Sequence, residues 1–385
     1  MIRSLCAATV AALLAGGCAK PVYNLGKVIG AVSPDSVALD LFLIGDAGLP
    51  APRGEPVLQA LKRTLRWDPH RSYVVFLGDN VYPAGLPPEG HPYRKEAERI
   101  LDEQVEVLRD TRTRGLFVPG NHDWEAGGNG GWDAVQRQAE YVLDRGNGLA
   151  EYLPRGGCPG PEVVDVGEEV RIVALDTQWW LHDGPKPRTA SSGCAAVSDQ
   201  QVIDSVRAVL RSAGRRATVV VAHHPLVSGG EHGGYFDWPT YVFPLYPWAR
   251  KGGFGDQDVS SSGYRRMIRV LSTAFVPEPP LVYAAGHEHN LQVLRRDPAR
   301  YLLVSGGGIY GHITQVRAIT GTRYANRASG FMRLSILRDG RVRLAVILVD
   351  AEGETTENYS AWLERPRGEP APAAASIERE NDAER

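Results

Sequence analysis

VALDLFLIGDAG, residues 37–48, is the stretch on which the reading of the whole chain turns. From Val37 to Ile44 only Asp40 is polar, and an apolar run of that length reads as a strand buried on both faces. The run stops on Gly45-Asp46-Ala47-Gly48, where glycine lets the backbone turn sharply. Similar short apolar runs recur at 73–77 (YVVFL), 116–118 (LFV), 170–175 (VRIVAL), 218–222 (TVVVA), 281–285 (LVYAA) and 301–305 (YLLVS). Between them, stretches near 55–66, 93–110, 133–144, 198–213 and 262–274 have helical spacing. The fourth opens with Ser198 three residues before Gln201, a capping box. Strands alternating with helices predict an α/β fold. Residues 330–337 and 341–349 flank Asp339-Gly340, a hairpin signal. No internal repeat is present.

The ends of the strands carry the chemistry. The run at 73–77 leads into Gly78-Asp79-Asn80-Val81-Tyr82, and the run at 116–118 into Gly120-Asn121-His122-Asp123. The run at 218–222 ends at His223-His224-Pro225, and that at 281–285 at Gly286-His287-Glu288-His289. Ligand sites in open α/β sheets lie beyond the carboxyl ends of strands. Six of the ten histidines fall in or just after these motifs: His122, His223, His224, His232, His287 and His289. Singly, each motif reads equally well as a turn or a helix cap. As an ordered set at five strand ends they predict a metal site.

The donor types narrow the metal. Carboxylate, amide and phenol oxygens with imidazole nitrogens, and no thiolate, argue for iron, manganese or zinc. There are more candidate ligands than one ion needs, and a carboxylate can bridge, so two metals are the natural count. A free phenol has a pKa of ~10, so Tyr82 ligates well only where a strongly acidic cation takes its proton. Fe(III) meets that demand better than Zn(II) or Mg(II).

The five segments GDAG (45–48), GDNVY (78–82), GNHD (120–123), VVAH (220–223) and GHEH (286–289) resemble those of the metallophosphoesterase superfamily. Asp46-Ala47-Gly48, in place of Asp-x-His, together with Tyr82, resembles the purple acid phosphatases in particular. HHPLVSGGEHG at 223–233 is similar to their small, mammalian-type members. The resemblance implies a four-layer αββα sandwich of mixed sheets. It assigns Asp46, Tyr82 and His289 to Fe(III), Asn121, His223 and His287 to a divalent ion (Fe, Zn or Mn), and Asp79 to both. It makes His122 and His232 the catalytic pair that binds phosphate and assists the leaving group. His224 has no ligand role in the pattern and reads as packing or a hydrogen bond. The implied reaction is hydrolysis of a small-molecule phosphomonoester by a metal-bound hydroxide, with an acidic optimum. The alternatives are a divalent-metal phosphodiesterase acting on nucleotides or phospholipids, and a non-enzymatic surface lipoprotein.

Composition agrees with a globular protein. The chain has 385 residues, 43% hydrophobic and 23% charged, with a formal charge of −2. No basic surface advertises nucleic acid as a partner. A basic start and an apolar run to Gly17 read as a secretory signal. Leu14-Ala15-Gly16-Gly17-Cys18 resembles a bacterial lipobox, which implies a lipid on Cys18 and a membrane-anchored protein of the cell envelope. A plain cleaved signal is the alternative. Residues 1–17 are then signal, 18–36 tether, 37–365 the metallophosphoesterase domain and 366–385 a disordered tail. Cys158 and Cys194, an even pair in an oxidising compartment, are expected to form a disulfide. Residues 235–254 hold eight aromatics and form either a substrate-selecting lid or a self-packed loop. The oligomeric state stays open.

Overall fold

The structure, a computed structural model, describes residues 23–24, 28–52, 54–236 and 255–364. The signal, Cys18, the tail and all but Tyr235 and Phe236 of the aromatic segment lie outside the described residues. Among the described residues no helix is long and apolar enough to cross a membrane.

Two mixed sheets pack face to face. The strands in chain order are β1 (Tyr23–Asn24), β2 (Val37–Ile44), β3 (Ser72–Phe76), β4 (Arg114–Phe117), β5 (Ala150–Tyr152), β6 (Glu162–Val166), β7 (Val170–Ala174) and β8 (Ala217–Val221). They continue with β9 (Val282–Ala285), β10 (Leu291–Leu294), β11 (Tyr301–Ser305), β12 (Thr322–Asn326), β13 (Gly330–Leu337), β14 (Val342–Val349) and β15 (Thr355–Leu363). The seven-stranded sheet has the order β15-β14-β13-β2-β3-β4-β5, and the eight-stranded sheet β1-β12-β10-β11-β9-β8-β7-β6. In the seven-stranded sheet the run β2-β3-β4-β5 is parallel, as is β7-β8-β9-β11 in the other. Helices α1 (Pro56–Leu65), α2 (Arg94–Thr111) and α3 (Gly131–Gly146) cover the seven-stranded sheet. Helices α4 (Gln178–Leu181), α5 (Asp199–Arg211) and α6 (Ser262–Phe275) cover the other.

The alternation within β2 explains the layers. Leu39, Leu41 and Leu43 point into the core between the sheets, against Ile172, Val219 and Leu303. Phe42 and Ile44 point the other way, into the core with Leu58 and Leu61 of α1 and Leu101 of α2. Both faces are dry, so the strand is apolar almost throughout. Each expected strand and helix is found, with ends shifted by a residue or two, and Ser198 caps α5 by accepting the Gln201 N–H. The Gln201 side chain accepts from Val197 N–H, one residue before the reciprocal partner of a capping box. The hairpin β13–β14 forms as read.

Within the segment read as a tether, Tyr23–Asn24 pair antiparallel with Tyr324 and Ala325 of β12. Ile29 is tied down as well, its N–H to Ser360 Oγ at 2.9 Å and its carbonyl to Arg343 Nη2 at 2.8 Å. Cys158 and Cys194 are bonded, 36 residues apart, which ties the approach to β6 to that of α5.

Closing a loop of that length stabilises a fold by about 3–4 kcal/mol in the chain-entropy account. Cys158→Ser with Cys194→Ser is therefore expected to lower the urea midpoint and, because the unfolded chain is freed to expand, to steepen the slope. An unchanged midpoint would show that the bond contributes nothing to stability.

Candidate metal centre

Every expected ligand lies at or just beyond the C-terminal end of a parallel strand. Ile44, Phe76 and Phe117 are register neighbours on β2, β3 and β4, so Asp46, Asp79 and Asn121 emerge side by side. Val221 and Ala284 are partners on β8 and β9, which brings His223 beside Gly286-His287-Glu288-His289. The seven-stranded sheet thus delivers the oxygen donors, and the eight-stranded sheet the imidazoles. The two sets are stitched together by backbone. Gly45 N–H donates to Ser305 O at 2.8 Å, and His287 N–H to Asp46 Oδ2 at 2.9 Å.

The seven side chains form one cluster with two halves, buried except for His289, whose side chain is 16% exposed. In the first, the Tyr82 hydroxyl is 3.0 Å from His289 Nε2, 3.1 Å from Asp79 Oδ2 and 3.2 Å from Asp46 Oδ1. In the second, Asn121 Oδ1 is 3.0 Å from His223 Nε2 and 3.1 Å from His287 Nδ1. The two rings approach to 3.2 Å through those same atoms. Asp79 Oδ2 is also 3.3 Å from His223 Nε2, so one oxygen touches both halves. The grouping matches the ligand sets implied by the sequence.

Hydrogen-bond bookkeeping shows what the cluster lacks. A backbone carbonyl only accepts, so His223 Nδ1, 2.9 Å from Leu77 O, must carry its proton there. By the same logic His287 Nε2 donates to Gln257 O at 3.0 Å. In the neutral rings this leaves His223 Nε2 and His287 Nδ1 as lone pairs facing Asn121 Oδ1 and Asp79 Oδ2. With both rings neutral, four acceptors meet, an arrangement that only added positive charge, a cation or a further proton, satisfies. The electrostatics show the same demand for positive charge. Burial opposes charge on His223, but the Asp79 carboxylate outweighs it and lifts the ring to about 9, so that without a cation Nε2 takes up a proton. Burial, then the Asp79 and Asp46 charges, push Tyr82 well above the usual phenol value. Burial and the neighbouring His232, His224 and His223 hold His287 well below the usual imidazole value. The residues present fit a dinuclear centre.

Three of these ligands carry backbone strain. Asp46, Asp79 and His287 have φ of 58°, 53° and 70°, a left-handed conformation that costs a non-glycine residue about 1–2 kcal/mol. Buried hydrogen bonds hold it. The Asp123 carboxylate accepts from Gly120 N at 2.8 Å, Asn80 N at 3.0 Å, Val81 N at 3.2 Å, Asn80 Nδ2 at 2.9 Å and Gln138 Nε2 at 2.8 Å. It locks the second motif to the third. Burial and then the Asp79 charge lift its own carboxyl to about 6.

The two expected catalytic histidines sit at the mouth. His122 and His232 have side chains 29% and 28% exposed, whereas His223 is fully buried. His122 donates its backbone N–H to Asp79 Oδ1 at 2.9 Å and its Nδ1–H to Pro83 O at 2.6 Å, leaving Nε2 4.0 Å from Asp79 Oδ2. His232 packs its ring 4.0 Å from that of His287 and holds Asp258 Oδ1 at 2.9 Å through Nδ1. His224 belongs to a geometric trio with His223 and His287, but Thr177 Oγ1 and Gln257 Oε1 occupy its two nitrogens, each at 2.8 Å. The hydrogen-bonding reading of His224 holds.

The sequence reading missed four contributors. Gln257 orients His287 through its carbonyl, and Asp258 orients His232. Glu288, the middle residue of GHEH, accepts from Ser228 Oγ at 2.7 Å and Gly233 N–H at 3.2 Å, fixing the loop that carries His232. His312 lies with its ring 4.1 Å from that of His289. It follows β11 as the other site residues follow their strands, which was the available signal.

The calcineurin-like phosphoesterase family matches residues 40–291, about two thirds of the chain. The protein belongs to that family. Membership, with the ligand cluster, supports a metal-dependent phosphoester hydrolase with donors for two ions. Among solved structures the chain is similar to GAP50, described as the anchor in the inner membrane complex of Plasmodium. The TM-score is 0.54 at 16% identity, over 86% of this chain and 89% of that one, which shows a shared fold. A family 1 β-glucosidase from Thermotoga maritima, in complex with isofagomine lactam, aligns over 74% of this chain and 70% of that one. Its TM-score of 0.23 at 8% identity supports nothing further. No curated protein sequence matches the chain.

A methyl group at Gly120 would stand 2.3 Å from both the backbone nitrogen and Oδ1 of Asp79. Gly120→Ala is expected to displace Asp79 and to cut bound metal from about two ions per chain to one or none, with the far-ultraviolet circular dichroism intact. Full metal content in the variant would show that neither half of the cluster depends on Asp79.

Proposed function

We propose that the protein is an acid phosphatase of the purple type, a hydrolase of small-molecule phosphomonoesters. Asp46, Tyr82 and His289 would hold Fe(III), Asn121, His223 and His287 a divalent ion (Fe, Zn or Mn), and Asp79 would be shared. The observation that carries this reading is the Tyr82 hydroxyl inside the cluster, within 3.0–3.2 Å of His289, Asp79 and Asp46. A phenol buried against two carboxylates ionises only for a strongly Lewis-acidic partner, which favours a trivalent ion over Zn(II) or Mg(II). The N-terminal motif adds a location to the proposal, the cell envelope, through a lipid on Cys18.

When bound, the two cations would lower the pKa of water and draw charge from the phosphoryl oxygens. The protein's own residues do the rest. His122 directs Nε2 at the mouth because Pro83 O takes its other nitrogen, and there it contributes to binding the phosphate. Asp258 Oδ1, 2.9 Å from His232 Nδ1, orients the ring, and His232 is assigned the proton handed to the departing alkoxide. His232→Ala is therefore expected to spare metal content and to slow esters with poor leaving groups by about 10²–10⁴-fold. Aryl phosphates with good leaving groups are expected to suffer much less. Equal losses on both would exclude the proton-donor role.

Metal analysis and a visible spectrum of the full chain test the centre itself. About two metals per chain, iron among them, with a purple or pink band that disappears in Tyr82→Phe, are expected. A colourless protein holding two divalent ions and cleaving diesters as well as monoesters would replace this reading with the phosphodiesterase. A protein that takes up no metal would leave the non-enzymatic lipoprotein.

A further inference from the structure

Three imidazoles ring the mouth of the centre, each packed on the ring of a different ligand. His232 lies 4.0 Å from His287, His122 lies 4.3 Å from Tyr82, and His312 lies 4.1 Å from His289. His312 also meets Tyr82 edge-on at 5.6 Å. It therefore flanks the Asp46–Tyr82–His289 half as His232 flanks the other. Its Nδ1 is buried and has no hydrogen-bond partner.

The backbone that carries His312 is fastened at nearly every step. Past β11 the chain runs directly over the cluster, since a methyl group at Gly306 would stand 2.6 Å from Asp46 Oδ2. Gly308 N–H donates to Gly45 O at 3.1 Å, and Tyr310 N–H to the buried Glu55 Oε1 at 2.7 Å. Gly311 N–H donates to Ser329 Oγ at 3.0 Å, and the Ser329 hydroxyl donates in turn to Ile309 O at 3.1 Å. Beyond the ring, Thr314 N–H donates to His289 O at 2.8 Å. A loop fixed on both sides holds the His312 ring in one place beside the cluster, with a hydrogen bond at Nδ1 still to make.

We propose that His312 is a substrate-contacting, specificity-determining residue that gives a hydrogen bond to a terminal phosphoryl oxygen on the Asp46–Tyr82–His289 side. This rests on the phosphoester-hydrolase reading above and deepens it. A phosphomonoester has three terminal oxygens and a diester two. His232 is committed to the leaving oxygen and His122 to one terminal oxygen, so His312 faces a further terminal oxygen on its own side of the group. In a diester the third oxygen carries a substituent, which accepts poorly and would crowd the His312 ring. His312 thus selects monoesters over diesters.

The test uses the metal-loaded full chain, p-nitrophenyl phosphate, bis(p-nitrophenyl) phosphate and calorimetric titration with inorganic phosphate. In His312→Ala, kcat/KM for the monoester is expected to fall about 10–100-fold, and phosphate affinity about tenfold, as for a lost hydrogen bond to a charged group. The diester rate is expected to stay within about threefold, and metal content to stay unchanged. His312→Asn, which keeps an N–H near the position of Nδ1, is expected to recover part of the monoester loss. Equal losses on both esters, unchanged phosphate affinity, or loss of metal in the alanine variant would each overturn the proposal. If the parent protein neither binds phosphate nor cleaves either ester, the hydrolase reading falls and the proposal with it. If the parent prefers monoesters and His312→Ala keeps that preference, only the proposal falls.

Discussion

Acceptor atoms that face one another without a proton between them repel, and this fold is organised around one such meeting. With both rings neutral, His223 Nε2, His287 Nδ1, Asn121 Oδ1 and Asp79 Oδ2 converge as acceptors, because Leu77 O and Gln257 O have taken the ring protons. Such a group is costly to bury unless positive charge compensates it. The surrounding structure resists its dispersal. Left-handed backbone at Asp46, Asp79 and His287 accompanies three candidate ligands of the cluster, and the Asp123 carboxylate anchors the second motif to the third.

The helices and the two sheets serve that end. Parallel strands that finish in register give adjacent loops a common floor. The three apolar cores fix the floor from both sides, so the loops can stay short and polar while their bases remain rigid. Function is concentrated where the periodic structure stops.

That division also decides what the sequence discloses. The apolar run of β2 is legible because both its faces are buried, and the motifs after β2, β3, β4, β8 and β9 are legible because residue type and strand end coincide. The edge strand β15, TTENYSAWL, is not, because its residues are largely polar and its place comes only from pairing with β14. Strands β5 (AEY) and β10 (LQVL) each break the apolar run with a polar residue, so no continuous run marks them. Gln257 was hidden for a different reason: it acts on His287 through a backbone carbonyl, which any residue carries. Asp258 follows the aromatic segment with no periodic frame to mark it. His312 was within reach, since 301–305 was read as a strand and its end not followed. The disulfide was legible from counting alone, while the lipid anchor and most of the aromatic segment fall outside the described residues.

The division of donors between the sheets has a mechanical side. Carboxylates, amide and phenol come from one half of the sandwich, and imidazoles from the other. A cation bound among them is a clasp across the seam. Sliding one sheet past its partner by a single residue, about 3.3 Å, would part the two sets of ligands. An ion that binds the docked halves and not the separated ones adds its binding free energy to their docking. A centre that binds ions across this seam would double as a gauge of alignment: it would hold them only when both halves are seated, and they would in turn keep the halves seated.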